Sequence, residues 1–149
     1  MRAVIQRVLA ARVEVDGEVV GAIGPGLCCF VGAGKGDGDQ DLDLVASKIA
    51  ELRIFPDADD KMNLSVRDVG GSVLAVSQFT VYGDARKGSA REAARSGLLN
   101  EARATFERFV ERLRGAGLHV ETGTFAAKMR VLVDNDGPVT ILVDSNKTF

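Results

Sequence analysis

Two short polar segments of the chain carry side chains that could do chemistry. Ser77-Gln78-Phe79-Thr80 ends an apolar run, and its hydroxyl and amide groups can each donate and accept hydrogen bonds. This segment is either a strand end whose hydroxyls satisfy the neighbouring backbone, or an edge that offers a donor and an acceptor to a ligand.

The second polar segment, Asn135-Asp136-Gly137-Pro138, separates two runs of alternating apolar residues near the end of the chain. Because proline cannot donate to a strand ladder, Pro138 must lie at a turn or a bulge. The segment is either an ordinary hairpin turn or a bend with a cis Gly137-Pro138 bond. A cis bond would aim two adjacent carbonyl groups to one side.

The other reactive residue types leave little room for metal or triad chemistry. His119 is the only histidine, so a Ser-His-Asp triad would have to use it as the base, and we interpret it as the start of a strand. Cys28 and Cys29 are adjacent and would point to opposite faces of a strand, so we interpret both as small buried hydrophobic residues. The glycine-rich residues 32–38 lack the spacing of a phosphate-binding P-loop and are predicted to link a strand to a helix. We therefore expect no metal and no cofactor.

One segment of the chain is basic, although the formal net charge of −2 gives no general sign of nucleic-acid binding. It contains Arg86, Lys87, Arg91 and Arg95. This basic cluster is either a solvated loop and helix face or a set of phosphate contacts.

The elements that must position these groups follow from the apolar periodicity. Residues 1–34 predict three strands, with Asp16-Gly17 as the hairpin turn between the first two. Helices are predicted at residues 39–52, with Asp39 able to cap the first, and at residues 96–114. Residues 72–82 predict a further strand, as do the alternating runs on each side of the second polar segment.

Together these elements predict an α/β (α+β) fold with a curved, largely antiparallel sheet and two helices packed against it, in a single domain of residues 1–149. The contents of 46% hydrophobic and 27% charged residues are typical of soluble globular proteins. The apolar runs are too short to span a bilayer and the first residues lack the apolar stretch of a signal peptide, so we expect a cytoplasmic protein.

The two polar segments and the residues around them resemble the signature motifs of the D-aminoacyl-tRNA deacylase family. The first continues with Tyr82-Gly83-Asp84 and Lys87-Gly88, and the second ends in Val139-Thr140. Further segments in the family's order are residues 1–8, 61–66, 68–71 and 122–129, so the resemblance covers essentially the whole chain.

The chain departs from the family pattern at two places. Residues 89–95 replace a run that usually contains Arg-Pro and an aromatic residue, so we expect the order of this loop or its affinity for the 3′-terminal adenosine of the tRNA to differ from the family's. Ala126 stands where the family usually has glycine, and we expect this to be harmless because we expect position 126 not to require a positive φ.

The resemblance implies an enzyme that hydrolyses the ester bond of D-aminoacyl-tRNA, and of glycyl-tRNA, in chiral proofreading of translation. It implies a homodimer whose active sites lie at the subunit interface, with tRNA as the partner and neither DNA nor a membrane. Gln78, Phe79 and Thr80 are the implied catalytic residues. The implied substrate-binding residues are Ser77, Ala102, Phe125, Met129, Gly137 and Pro138, and the basic residues that could meet the tRNA phosphates are Arg86, Lys87 and Arg91.

In this family Gly137-Pro138 would be cis and would reach into the partner's pocket, where its carbonyls bind the amino group and clash with any L side chain. Such a contact selects by rejection, which discriminates better than one more favourable contact to the right isomer. It ignores side-chain identity, so D-residues and glycine would both be accepted.

Two mechanisms stay open for the hydrolysis. Thr80 could attack as the nucleophile, or the ribose 2′-OH could orient or activate water while Gln78 and Thr80 position the substrate. The lone His119 favours the second mechanism, which would require RNA rather than DNA. Two rival functions are an RNA-binding module without turnover, because of the altered residues 89–95, and an RNA-independent hydrolase that uses Thr80 on a small ester or amide.

Overall fold

The computed structural model describes residues 1–87 and 99–149. Its strands are β1 Arg2–Val15, β2 Glu18–Ile23, β3 Gly26–Gly32, β4 Phe55–Pro56, β5 Met62–Leu64, β6 Ser72–Ser77, β7 Val120–Thr122 and β8 Arg130–Asp144. The described helices are α1 Asp39–Glu51 and α2 Leu99–Gly115, and short 3₁₀ turns cover Phe79–Tyr82 and Ala85–Lys87.

The long strand β1 organises the main sheet. One edge of β1 pairs antiparallel with β3 through residues 2–8 and with β2 through residues 11–15. The other edge pairs antiparallel with β8. β3 then pairs with β6, and β6 with β7, both in parallel. The sheet is therefore mixed: its pairs around β1 are antiparallel, as predicted, and those of β6 with β3 and β7 are parallel, which the sequence did not predict. The parallel pairs arise because a helix-containing connection separates β3 from β6 and β6 from β7, and such a crossover returns the chain in the same direction.

The main sheet curves until it nearly closes into a barrel. Gly21 in β2 lies against the backbone carbonyl of Thr122 in β7, so the two ends of the strand order approach each other. One face of the sheet packs on both helices, and the other face surrounds a smaller apolar cluster of Val8, Val13, Cys28, Leu74 and their neighbours. Curved strands thus enclose one core while the helices cover the second.

The two cysteines lie on opposite faces of β3, as their adjacency predicts. Cys28 belongs to the inner cluster and Cys29 to the core under the helices, and both are free and buried. Burial raises the pKa of Cys28 to about 12 and raises the pKa of Cys29 as well, so both thiols stay protonated at neutral pH.

The first half of the chain agrees closely with the predicted elements. Asp16 and Gly17 form the predicted hairpin turn, with φ angles of +50° and +80°. Helix α1 begins at Asp39 as expected, but its N-cap is Gly38, whose N–H donates to the Asp41 carboxylate. The capping prediction for Asp39 was therefore wrong, because Asp39 instead forms ion pairs with Arg108 and Arg112 of α2.

The second half departs from the prediction where polar groups interrupt the apolar pattern. The strand predicted for residues 72–82 ends at Ser77, and a 3₁₀ turn follows. The two runs around Gly137-Pro138 form a single strand, β8, with irregular pairing opposite Gln6 and Val8. Helix α2 is described only from Leu99, so the predicted start at residue 96 lies outside the described residues.

Position 126 does take a positive φ. Ala126 has a φ of +61°, in the region that glycine adopts at no cost, so the expectation that alanine is unstrained there was wrong. Among the described helices, none is long and apolar enough to cross a membrane.

Candidate active site

The predicted catalytic residues lie together at the end of β6. The Gln78 N–H donates to the Val31 carbonyl at 2.8 Å and continues the pairing of β6 with β3 for one more residue. The chain then bends into the 3₁₀ turn, in which the Gln78 side-chain amide donates to the Thr80 hydroxyl at 2.9 Å. Phe79 is 50% exposed and Thr80 is exposed, so this turn presents polar groups and an aromatic ring to solvent.

The first N–H groups of a helical turn have no partner within the turn. In the turn Phe79–Tyr82, where each bond joins an N–H to the carbonyl three residues before it, these are the groups of Phe79 and Thr80, next to the Gln78 and Thr80 side chains. Backbone donors fixed at one point can stabilise an oxygen that becomes negatively charged during acyl transfer. The turn therefore has the components of an oxyanion site.

The turn rests on the glycine-rich end of β3, which the sequence analysis interpreted only as a linker. A Cβ atom on Gly32 would lie 3.0 Å from the Gln78 carbonyl oxygen and 3.1 Å from the Tyr82 ring, closer than Cβ atoms normally approach. Because glycine has no Cβ, the turn can pack directly on the strand backbone. Gly32 is therefore part of the support of the candidate site.

Arg2 holds the far end of the same turn, a role that the sequence analysis missed. Its guanidinium donates to the Val81 carbonyl at 3.4 Å and lies 4.6 Å from the centroid of the Tyr82 ring. Its Nε atom donates to the buried Asp144 carboxylate at 3.2 Å. Arg2 therefore ties the 3₁₀ turn to the end of β8.

Asp144 is charged in this network despite its burial. Burial opposes ionisation, but hydrogen bonds from Thr148, the Asn146 N–H and Arg2 outweigh it and hold the pKa of Asp144 below its ordinary value. The ion pair with Arg2 is thus present at neutral pH.

The second polar segment, Asn135-Asp136-Gly137-Pro138, forms an exposed bend within β8. The Gly137-Pro138 bond is cis, and both residues are exposed. Gly137 has a φ of +122°, and an added Cβ would lie 2.8 Å from the Val139 side chain and 3.0 Å from the Arg7 guanidinium. Both the backbone conformation and the space therefore require glycine here.

Arg7 and Asn135 hold this bend against β1. The Arg7 guanidinium donates to the Ile54 carbonyl at 2.6 Å, and its Nε atom forms an ion pair with Asp136 at 3.1 Å without an aligned hydrogen bond. The Asn135 amide donates to the carbonyls of Arg7 and Val139. Arg7 was missed by the sequence analysis, although a charged residue within an apolar strand was the available signal.

The 78–80 turn and the Gly137-Pro138 bend, the two motifs of the candidate site, lie apart within one chain. The 78–80 turn follows Ser77, which pairs with Val31, and Val31 pairs with Ala3 at one edge of β1. The Gly137-Pro138 bend lies opposite Gln6 and Val8 at the other edge. With strands about 4.8 Å apart and about 3.3 Å per residue along them, three strand gaps and about four residues give a separation of roughly 20 Å.

Comparisons with known proteins identify the family. A profile of the family described as D-Tyr-tRNA(Tyr) deacylase matches residues 4–144. A D-aminoacyl-tRNA deacylase of Desulfitobacterium hafniense is 54% identical over 149 residues, which cover 100% of both chains. The chain belongs to the D-Tyr-tRNA(Tyr) deacylase family.

Two solved structures share the fold of this deacylase family member. A protein titled c-Myc DNA Unwinding Element Binding Protein superposes with a TM-score of 0.85 at 35% identity, covering 97% of this chain and 98% of that one. A probable eukaryotic D-amino acid tRNA deacylase superposes with a TM-score of 0.73 at 15% identity, covering 95% and 97%. The predictions of the family and of a hydrolase that deacylates D-aminoacyl-tRNA are therefore confirmed.

The other residues implied by the deacylase resemblance divide between the two cores. Phe125 is half-buried beside α2, with its ring centroid 6.3 Å from that of Phe106, and Ala102 is half-buried on the same helix. Met129 packs on the inner cluster, with its sulphur close to Gly123. All three are partly exposed, and their role in substrate binding stays a prediction.

The basic cluster of this deacylase is only partly described. Arg86 is exposed, but its guanidinium forms two hydrogen bonds of 2.9 Å with the Asp84 carboxylate. Lys87 ends the second 3₁₀ turn, whereas Arg91 and Arg95, like the atypical residues 89–95 as a whole, lie outside the described residues. The Asp84 ion pair reduces the charge that Arg86 can offer to a phosphate.

His119 is far from the candidate catalytic turn of this deacylase. Its carbonyl accepts from the N–H of Val73, near the start of β6, whereas Gln78 follows the end of that strand. The four residue steps from Val73 to Ser77 span roughly 13 Å. His119 therefore cannot act as a base for Thr80 in this conformation. Among the described residues, no group of three or more His, Cys, Asp and Glu side chains could hold a metal ion.

Proposed function

We propose that the 78–80 turn is the site at which this family member hydrolyses D-aminoacyl-tRNA. The observation that carries the proposal is the Gln78 amide bonded to the Thr80 hydroxyl, beside the N-terminal N–H groups of the 3₁₀ turn. The 3′-terminal adenosine and its aminoacyl ester would lie against this turn. Ser77, Ala102, Phe125 and Met129 would line the rest of the pocket.

We propose that water, not Thr80, attacks the ester carbonyl. Among the described residues no amine or imidazole contacts the Thr80 hydroxyl, which accepts a hydrogen bond from Gln78. An aminoacyl ester is already reactive, so orientation and stabilisation of the oxyanion can supply the acceleration. The ribose 2′-OH would orient the water. The acyl–oxygen bond breaks, the ribose oxygen takes a proton, and a free D-amino acid and tRNA leave.

We propose that the Gly137-Pro138 bend completes the pocket of a second copy of the chain. Within one chain the bend is roughly 20 Å from the 78–80 turn by strand spacing, and it is exposed. Two copies arranged around a twofold axis would each contribute one motif to each site. Carbonyls directed at the substrate amino group would leave no space for an L side chain, and glycine would pass this filter together with D-residues. Such an enzyme would act in the cytoplasm, where aminoacyl-tRNA is used.

The decisive experiment compares deacylation of D-Tyr-tRNA and L-Tyr-tRNA by purified protein without added metal. Release from the D-substrate alone supports the proposal. Release from neither, with tRNA still bound, supports the RNA-binding module, and release from both contradicts the chirality filter. A D-Tyr-tRNA ending in 2′-deoxyadenosine should be hydrolysed far more slowly, whereas a Thr80 nucleophile would keep most of its activity on that substrate.

Mixed dimers test the shared site. One variant, Thr80→Arg, would block the 78–80 turn, and another, Gly137→Val, would deform the bend. When the two are mixed under conditions that allow subunit exchange, a heterodimer contains one site with both motifs intact, so activity should reappear. Mixtures that stay inactive would place both motifs in the same chain's site and contradict the dimer proposal.

A further inference from the structure

Arg86 and the arginines of α2 differ in whether a carboxylate already engages them. Arg86 is held by Asp84, and on α2 the guanidinium of Arg112 binds Asp39 and Asp43 at 2.7 and 2.6 Å, while Arg108 also binds Asp39. The carboxylates offset the positive charge of these arginines. An RNA phosphate would have to compete with the carboxylates for them.

Arg103 is different. It is exposed on α2 next to Ala102, and its guanidinium carbon lies 5.0 Å from the centroid of the Phe125 ring. Within residues 1–87 and 99–149 it forms no ion pair and no side-chain hydrogen bond. Arg103 therefore combines a full positive charge with a side chain held in place by an aromatic ring.

Stacking and phosphate binding are compatible for arginine. When a ring stacks on the flat face of a guanidinium, the N–H groups stay free in the plane, where they can bind two phosphate oxygens at once. The ring also limits the rotamers of a long side chain, which lowers the entropy lost on binding. The Arg103–Phe125 pair is thus prepared for a phosphate at the edge of the candidate pocket.

We infer that Arg103 binds the phosphate group on the 5′ side of the terminal adenosine of the tRNA. The inference rests on the proposed function, because it takes Ala102 and Phe125 as part of the adenosine pocket. A phosphate attached to that adenosine is the anion nearest to a pocket-edge cation. Arg103 is a binding residue in this role and takes no part in the reaction of the ester.

The test uses three D-tyrosyl esters: the tRNA, adenosine 5′-phosphate and adenosine without phosphate. Arg103→Ala should lower kcat/KM by about tenfold on the first two and leave the third unchanged, because a charge-assisted hydrogen bond is lost only where the phosphate exists. The slope of log KM against log salt for the tRNA should fall by about 0.7. Arg103→Lys should retain the salt slope but recover only part of the affinity.

Lys48→Ala is the matched control, because it removes one exposed positive charge from α1, and it should change none of the three rates. Equal losses on all three substrates would overturn the inference by showing that Arg103 acts through the packing of Phe125. A loss on the tRNA alone, or on none, would overturn it as well. A wild-type protein that releases tyrosine from no D-substrate would instead contradict the proposed function.

Discussion

The two motifs are both supported by an arginine of β1, yet their environments differ. Arg2 supports the 78–80 turn from behind, while the glycine at position 32 lets that turn pack on the backbone of β3. Arg7 supports the Gly137-Pro138 bend, which projects from β8 with both tip residues exposed. The 78–80 turn packs on the sheet, whereas the Gly137-Pro138 bend projects from it.

This difference separates two tasks. A turn packed on a sheet can keep hydrogen-bond donors fixed, which stabilisation of a transition state requires. An exposed bend with a defined backbone can instead occupy space in a neighbouring pocket and exclude what does not fit. Substitutions that damage the bend should therefore affect the rejection of L-esters and the assembly of the site. Substitutions of the residues that support the 78–80 turn should affect the rate of hydrolysis.

The largest effect is expected for Gly137→Ala. The new Cβ would contact Val139 and Arg7 at about 3 Å and require a side chain at a φ of +122°, so the bend must move. A displacement of about 1 Å costs about a hundredfold in rate, so D-Tyr-tRNA deacylation should fall by at least that factor. Activity within tenfold of wild type would contradict a role for the bend, with Gly36→Ala, at an open position, as the control for positive φ.

Arg7→Ala should have the next largest effect. It leaves Asp136 without its ion pair and the Ile54 carbonyl without its donor. Loss of a charged hydrogen bond of about 2 kcal/mol corresponds to about 30-fold in kcat/KM. Steady-state kinetics on the D- and L-esters should also reveal weaker rejection of the L-ester. If kcat/KM and the D/L ratio are both unchanged, Arg7 does not position the bend.

Arg2→Ala should lower kcat by about tenfold with little change in KM, because the 3₁₀ turn loses a donor to Val81 and the cation over Tyr82. D-Tyr-tRNA deacylation gives both constants, and Arg2→Lys should recover part of kcat. A lower melting temperature with an unchanged kcat would mean that Arg2 stabilises the fold without positioning the turn.

Asp144→Asn should have the smallest effect, on stability. The pKa of Asp144 is lowered in the folded protein, so its carboxylate stabilises the fold above the ordinary pKa of 3.8 and loses this effect as the pH falls through the lowered value. Thermal unfolding should therefore show a deficit of about 1 kcal/mol, or about 3 °C, for the variant at pH 7. The deficit should shrink below pH 4. A deficit that is constant down to pH 2.5 would show that the charge of Asp144 is not responsible.

Local patterns predicted much of the fold. The Asp16-Gly17 turn, the placement of α1 and the opposite faces of Cys28 and Cys29 follow from interactions between neighbours in sequence. The parallel pairing of β3, β6 and β7 could not be predicted in this way. It depends on how two helix-containing connections cross the sheet.

The sequence by itself determined which segments are chemically unusual, because polar residues and proline interrupt an otherwise regular apolar pattern at 77–80 and 135–138. Tertiary structure alone decided what holds them. Arg2, Arg7 and Gly32 act through partners that are 46 to 142 residues away in the chain, and no spacing rule connects such residues. Packing also placed Ala126 at a positive φ against its own preference, because the conformation of a short loop is set by the elements that it joins.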